Sequence, residues 1–355
     1  MIHYYHYQPE TDKDSQSNHK ETRSNSKDHH SQTGSDEAGS HIFKHLLKVL
    51  IIMVLVLVLA VALMAAFAYF YVTQSTIDNT DGRTNILFLG VDEAASLSDT
   101  IMLVSVENLD EEPDVAMVSI PRDLWVNVPG FGGSKINAAY SIGERNQYPG
   151  AGPGLTKDTL ESVLKLDIHY YSALDFDGFT ALIDAAGGVE IEVENAINDP
   201  RYPADDGSGY SPLFIEAGTQ KFDGEKALKY ARSRQSTSDF DRAFRQQQIV
   251  LALREQIVSD SRLPQAQRIA SLITTLDDKV ETDMSRAEIL QLAAALRNIH
   301  PDDVPQYVID TSNFLVGAQF DGSSLVPRTS SFEEIQSFID NLFEQDAIEE
   351  YESMF

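Results

Sequence analysis

The chain has 355 residues, a formal net charge of −28, no cysteine and 42% hydrophobic residues. So acidic a balance excludes a nucleic-acid binder, because gripping a phosphate backbone takes a broad basic face. The lack of cysteine excludes a disulfide-held fold, and the length allows one large domain or two ordinary ones once unfolded segments are set aside.

Residues 1–41 are rich in His, Ser, Asp, Asn and Gln and poor in aliphatics. They cannot bury enough surface to offset the entropy of ordering, and residues 1–45 read as a disordered tail. Seven of the nine histidines lie there at scattered spacing and read as solvated, not as metal ligands.

The run "VLIIMVLVLVLAVALMAAFAYFYV", residues 49–72, carries no charged or strongly polar side chain. As a helix it spans about 36 Å, enough for a hydrocarbon core of roughly 30 Å. It is too long and starts too far into the chain for a cleaved signal peptide, so residues 46–72 are expected to be an uncleaved signal-anchor. Lys44 and Lys48 precede the run and the first basic residue after it is Arg83. That asymmetry predicts a cytoplasmic N-terminus, with residues 73–355 outside the cell and Tyr69, Phe70 and Tyr71 at the outer interface. The exported part carries 21 basic and 48 acidic residues.

After a linker at 73–83, three β-rich runs follow: "NILFLGVD" (85–92), "DTIMLVSVE" (99–107) and "DVAMVSIPRD" (114–123). The six residues "NLDEEP" between the last two are too few for a helical crossover, so these runs should form an antiparallel hairpin. Periodicity predicts a helix over 157–166, a strand over 168–176, a helix over 178–188 closed by glycine and a strand over 189–194. Residues 198–212, with three prolines and two glycines, read as a loop. Helices are expected over 223–232, 240–259, 264–276, 285–298 and 332–345, with a late strand near "VPQYVIDT". Interleaved strands and helices give an α/β class, a three-layer α/β/α sandwich with a mixed central sheet. The core is set at 84–260, its completion at 261–345, and an acidic tail at 346–355. Phe179, Leu182 and Ile183 read as ordinary core.

"YARSRQSTSDFDRAFRQQQ", residues 230–248, holds four of the fifteen arginines and no lysine. Arginine offers paired donors that match phosphate or carboxylate oxygens two at a time. Ser238 or Asp239 can cap the second helix, and Arg242 and Gln246 then share one side while Ile249, Val250, Leu253 and Ile257 supply the core side. Arginines in a first helical turn oppose the macrodipole, yet with it they suit an anion. The bland alternative is a solvated face paired with its own aspartates.

Asp92 ends the first predicted strand and Asp99 begins the second, at one end of adjacent strands. Paired carboxylates there suit a hard divalent cation; the alternative is a turn in which Asp caps backbone amides. Arg122 follows Pro121 and is expected at the end opposite Asp99 if the hairpin is regular.

The blocks "NILFLGVD", "SDTIMLVSV", "SIPRDLWVNVPG", "KINAAYSIG", "YYSALDFDGFTALIDAAGGVEIEV" and "LKYARSRQSTSDFDRAFRQQQ" occur in the order found in the LytR-CpsA-Psr family, so residues 84–255 resemble it. The resemblance implies a membrane-anchored phosphotransferase that moves an anionic glycopolymer from a polyprenyl-pyrophosphate carrier to peptidoglycan. It also implies a hydrophobic tunnel for the lipid and a Mg2+-bound pyrophosphate at the mouth. Asp92 and Asp99 match the family's magnesium-associated carboxylates. Arg122, Arg232, Arg234 and Arg242 match its pyrophosphate-binding arginines, with Asp239 and Gln246 in support. The partners implied are the lipid-linked glycopolymer, peptidoglycan and membrane lipid, with no nucleic acid. Asp92 is the expected acceptor of the attacking hydroxyl's proton.

One position departs: the family has "RSDT" where this chain reads "LSDT", with Leu97 in the arginine's place. Losing one charge-assisted contact costs about 1.5–3 kcal/mol. Lys135 or Arg83 can fill the gap. The alternatives are a non-catalytic polyprenyl-pyrophosphate-binding protein and a membrane-linked transcriptional attenuator.

Overall fold

A computed structural model of the chain describes residues 53–64, 77–79, 82–92, 96–109, 111–204, 209–234, 239–259 and 265–354. Two units can be distinguished, Met1–Ala66 and Phe67–Phe355. In the first, residues 53–64 form helix α1 with exposed apolar side chains. Among the described residues no helix is long and apolar enough to cross a membrane. The rest of the expected 49–72 span and the 1–45 tail lie outside the described residues.

The second unit is built on a mixed six-stranded sheet. Its order is β11 (Val280–Thr282), β6 (Tyr170–Leu174), β1 (Arg83–Val91), β2 (Ser98–Glu107), β3 (Asp114–Ser119) and β12 (Gln306–Val308). The β2–β3 pair is antiparallel, as the short "NLDEEP" connection requires; β1–β6 and β3–β12 are parallel. Side chains alternate between faces. Leu87, Leu89, Ile101, Leu103 and Val118 join one core, while Ile86, Met102, Val104 and Met117 join another.

The first core is covered by α2 (Asn137–Asn146), α3 (Ala151–Leu164), α9 (Glu333–Asp340) and α10 (Gln345–Glu352). The second lies beneath α6 (Asp239–Ser259) and α8 (Arg286–Ala295), which α7 (Gln265–Thr275) separates in the chain; two further strand pairs lie outside the sheet, β4 (Trp125–Val128) with β5 (Gly132–Lys135) and β13 (Leu315–Gly317) with β14 (Leu325–Pro327). A third cluster joins α4 (Phe176–Ala185), α5 (Gly224–Arg232) and two short β-pairs, β7 (Val189–Val193) with β10 (Gly218–Phe222) and β8 (Ile197–Asp199) with β9 (Leu213–Ile215). α5 approaches α4 closely: a Cβ at Gly224 would lie 2.3 Å from the Thr180 carbonyl oxygen, so only glycine fits there.

The structure corrects several expectations. The third strand stops at Ser119, and Pro121 opens a turn closed by the Leu124 N–H to Pro121 carbonyl bond. The strand at 189–194 pairs outside the central sheet, and the 198–212 loop is flanked by the β8–β9 pair. The expected acidic tail folds as α10, because Tyr351 is buried and its hydroxyl accepts from Val308 N–H and donates to Val308 carbonyl oxygen. Negative charge sets only the outer face of that helix; one aromatic anchors it.

Candidate active site

A cavity of about 890 Å3 lies between β1, β2, α4, α5 and α6. That volume is in the range of small-molecule sites. Phe88, Met102, Leu174, Phe179, Leu228, Ile249 and Val250 are among its apolar lining; Asp92, Asp99, Asp175, Asp199, Arg122, Arg201, Arg232, Arg234, Arg242 and Gln246 are among its polar one. The gradient is built into the strands. Asp92 lies four residues beyond Phe88 along the chain, roughly 13 Å in an extended backbone, and Asp99 three residues before Met102. Phe179 therefore lines the cavity, whereas Ile183 is fully buried core as expected.

Asp99 and Arg122 meet directly, Arg122 Nη1 donating to Asp99 Oδ1 at 2.6 Å. The expectation that they occupy opposite ends is wrong for a simple reason. In an antiparallel hairpin the start of one strand lies beside the end of the next. Continuing the Met102↔Ser119 register three residues outward brings 99 opposite 122. Arg122 is fixed further by its Nε, 3.7 Å from Asp123 Oδ2, and by its carbonyl oxygen, which accepts from Asn137 N–H. Its Nη2 has no protein acceptor among the described residues.

Asp92 caps its own turn: its carboxylate accepts from Ser96 N–H at 2.7 Å, from the Ser96 hydroxyl at 2.8 Å and from Leu97 N–H at 3.2 Å. Both readings of this residue thus hold a place, the turn cap by its bonds and the site by its position on the cavity wall. Among the described residues no cluster of three His, Cys, Asp or Glu could cage a metal. Two carboxylates on one wall nevertheless suit Mg2+, which keeps several waters and is commonly held by one or two carboxylates plus substrate phosphate.

α5 ends at Arg232, whose guanidinium lies 4.2 Å from the Phe176 ring centroid and donates to the Tyr202 hydroxyl at 3.4 Å. The side of α6 carrying Arg242, Gln246, Ile249 and Val250, at helical spacing, faces the cavity, and Gln246 Nε2 donates to the Ala231 carbonyl at 3.4 Å. Ser238 and the Asp239 side chain lie outside the described residues. The fourth arginine of the cluster turns away. Arg245 is buried and donates to the carbonyl oxygens of Tyr230 at 3.0 Å and Ser233 at 2.6 Å, closing the C-terminal end of α5. Burial pulls its pKa below the ordinary arginine value, opposed by Tyr230, Asp241 and Asp199. Gln247, also buried, donates to Ser119 Oγ and the Tyr307 carbonyl and ties α6 to β3 and β12.

Neither expected substitute for an arginine at Leu97 reaches the site. Arg83 opens β1 at the far end of the strand, buried, with Nη2 donating to Ser105 Oγ. Lys135 pairs with Asp123 at 2.7 Å and does not line the cavity. Arg201, in a stretch read only as loop, does line it.

The LytR_cpsA_psr family model matches residues 64–338. Regulatory protein MsrR of Staphylococcus aureus is 30% identical over 269 residues, 73% of this chain and 75% of its own. The polyisoprenyl-teichoic acid–peptidoglycan teichoic acid transferase TagU of Oceanobacillus iheyensis is 35% identical over 225 residues, 61% of this chain and 64% of TagU. Among solved structures, B. subtilis TagV matches with a TM-score of 0.60 at 26% identity, covering 74% of this chain and 97% of TagV. TagT bound to LI-WTA gives a TM-score of 0.56 at 22% identity, over 75% of this chain and 93% of TagT, a likeness of fold.

Proposed function

The chain belongs to the LytR-CpsA-Psr family, and we propose that it is a phosphotransferase that moves an anionic glycopolymer from a polyprenyl-pyrophosphate carrier to peptidoglycan outside the cell. One observation carries this reading: a single cavity joins an apolar lining to a polar wall bearing Asp92, Asp99, Arg122, Arg232, Arg234 and Arg242. A polyprenyl pyrophosphate has the same two-part character. The name of TagU and the ligand in the TagT structure point the same way.

In the reaction, an acceptor sugar hydroxyl attacks the phosphorus that carries the glycan. The bond from that phosphorus to the bridging oxygen breaks, and the lipid phosphate leaves with the electron pair. Fixed guanidinium groups stabilise the charge that grows on the leaving oxygens, and the Asp99 pair orients Arg122 for this task. Asp92 accepts the hydroxyl proton. Mg2+, if held by Asp92 and Asp99, would offset the remaining phosphate charge. No covalent enzyme intermediate is needed.

The test is transfer of a labelled glycan from its polyprenyl-pyrophosphate carrier to peptidoglycan by the full chain in detergent. Asp99→Ala should slow transfer severely and leave the residual rate independent of Mg2+ while changing the melting temperature little, because a partly exposed ion pair contributes about 0–1 kcal/mol. Wild-type rates in Asp99→Ala would sink the assignment. The membrane arrangement is part of the proposal. Protease added to intact cells should remove the domain and spare a tagged N-terminus; release of a soluble fragment beginning near Tyr69 would refute the uncleaved anchor.

The name of regulatory protein MsrR favours a second reading, a regulator, here one linked to the membrane by the proposed anchor. The acidic composition opposes direct DNA contact, so regulation would act through the cell wall or a protein partner. A third reading, a non-catalytic pyrophosphate binder, rests on Leu97 and predicts binding without transfer.

A further inference from the structure

We infer that Arg201 is a fifth guanidinium of the anion site and that the buried carboxylate of Asp199 sets it in register with Arg234; this rests on the pyrophosphate reading above. Arg201 lines the same cavity as Arg122, Arg232, Arg234 and Arg242, yet it comes from a different part of the chain, the turn that follows β8. Its side chain is exposed, and no described residue accepts a hydrogen bond from its guanidinium.

The turn is built to hold that position. Asp199 is 2% exposed. Its Oδ1 accepts from the Arg201 N–H at 3.1 Å, while its Oδ2 accepts from the Ser233 hydroxyl at 2.9 Å and the Arg234 N–H at 3.0 Å. One carboxylate thus fastens the backbone of two arginines that are 33 residues apart in sequence. Burying a carboxylate is unfavourable unless its lone pairs are satisfied, and here they are satisfied by the two segments it joins. The next residue adds another tie: Tyr202 is 2% exposed, and its hydroxyl accepts from Arg232 while its ring lies 5.6 Å from the Arg232 guanidinium carbon. The β8 turn and the end of α5 are therefore one rigid ledge, and Arg201, Arg232 and Arg234 stand on it together.

An arginine held at the backbone and left open at the fork is arranged for an external acceptor. Two phosphates present more oxygens than one, so a fifth fork adds most for a pyrophosphate. Arg201 also supplies from the turn after β8 a cation that the β1–β2 turn lacks at Leu97. Asp199 acts as a positioning residue and need not touch the ligand.

The experiment measures binding of geranylgeranyl pyrophosphate and geranylgeranyl monophosphate to the full chain in detergent by titration calorimetry. Arg201→Ala should weaken the pyrophosphate probe about tenfold or more, as expected for a lost charge-assisted contact, and the monophosphate less. Arg201→Lys should recover part of the loss, and Arg201→Ala combined with Leu97→Arg should recover more. Asp199→Asn should weaken the pyrophosphate probe with the domain still folded, and the added Arg201→Ala should then cost little further. If Asp199→Asn does not fold, the Arg201 variants, altered at an exposed side chain, decide alone. Wild-type affinity in Arg201→Ala would overturn this inference and leave the proposed function standing. Failure of the wild-type chain to bind either probe would overturn the pyrophosphate reading itself.

Discussion

Arg122→Ala is expected to slow transfer at least a hundredfold in the full chain, with little change in melting temperature. The residue sits where β3 turns away from the sheet, one donor committed to Asp99 and another without a hydrogen-bond acceptor among the described residues. Removing a preorganised donor aimed at developing charge lowers turnover by about 10²–10³ in well-studied sites. Arg122→Lys keeps the charge and loses the fork, so it should recover only a small part. The pair with Asp99 gives the sharper check. If Asp99 acts partly by orienting Arg122, the two losses will not add, and Asp99→Ala/Arg122→Ala will be scarcely slower than the worse single variant. Full additivity would mean that the two residues act independently, and an unchanged rate in Arg122→Ala would remove it from the mechanism.

Arg245→Ala is expected to have the largest effect on stability. The residue is 6% exposed, and its guanidinium holds the carbonyl oxygens of Tyr230 and Ser233, at the end of α5 where the helix dipole favours a cation. Truncation strands buried acceptors and leaves a void, a loss of about 3 kcal/mol. For a domain of this size that corresponds to a fall in Tm of roughly 6–12 °C. Binding of a prenyl pyrophosphate should weaken as well, since the segment from Arg232 to Arg234 loses its anchor. Arg245→Lys cannot span both carbonyls and should rescue incompletely. A variant with wild-type Tm and impaired binding would show instead that Arg245 contacts the ligand.

These two residues also show what the sequence could and could not disclose. Four arginines within nineteen residues announce an anion site, but spacing alone does not say which of them turn outward. Arg242 and Arg245 lie three apart on neighbouring faces of α6, and only the position of α5 makes one a lining residue and the other a buried prop. β1, β2 and β3 were legible because each is a nearly continuous apolar run, and the β2–β3 hairpin followed from its short connection, whereas three-residue β11 is too short to show a pattern. The meeting of Asp99 and Arg122 was equally available from the antiparallel rule, and the error there was one of geometry. Arg201 was hidden for another reason. It stands among prolines and glycines with no periodicity to orient it, and its tether through Asp199 to Ser233 and Arg234 is a long-range bond. α2 went unseen because its buried side is made of Asn137, Ala139, Tyr140 and Gly143, which give no aliphatic stripe. α10 was masked by its acidic composition, although Tyr351 packs among Tyr307 and Phe338.

Within nine residues, α6 addresses three different neighbours: Arg242, Gln246, Ile249 and Val250 face the cavity, Arg245 the end of α5, and Gln247 the sheet. Each address is an angle about one axis, and a single inserted residue turns everything beyond it by about 100° and advances it by about 1.5 Å. Between Arg242 and Val250, then, the chain transmits phase as much as chemistry. Side chains there can be exchanged one at a time, each with its own local effect, whereas one codon gained or lost near Arg242 would misdirect the cavity lining, the helix prop and the sheet tie in a single event.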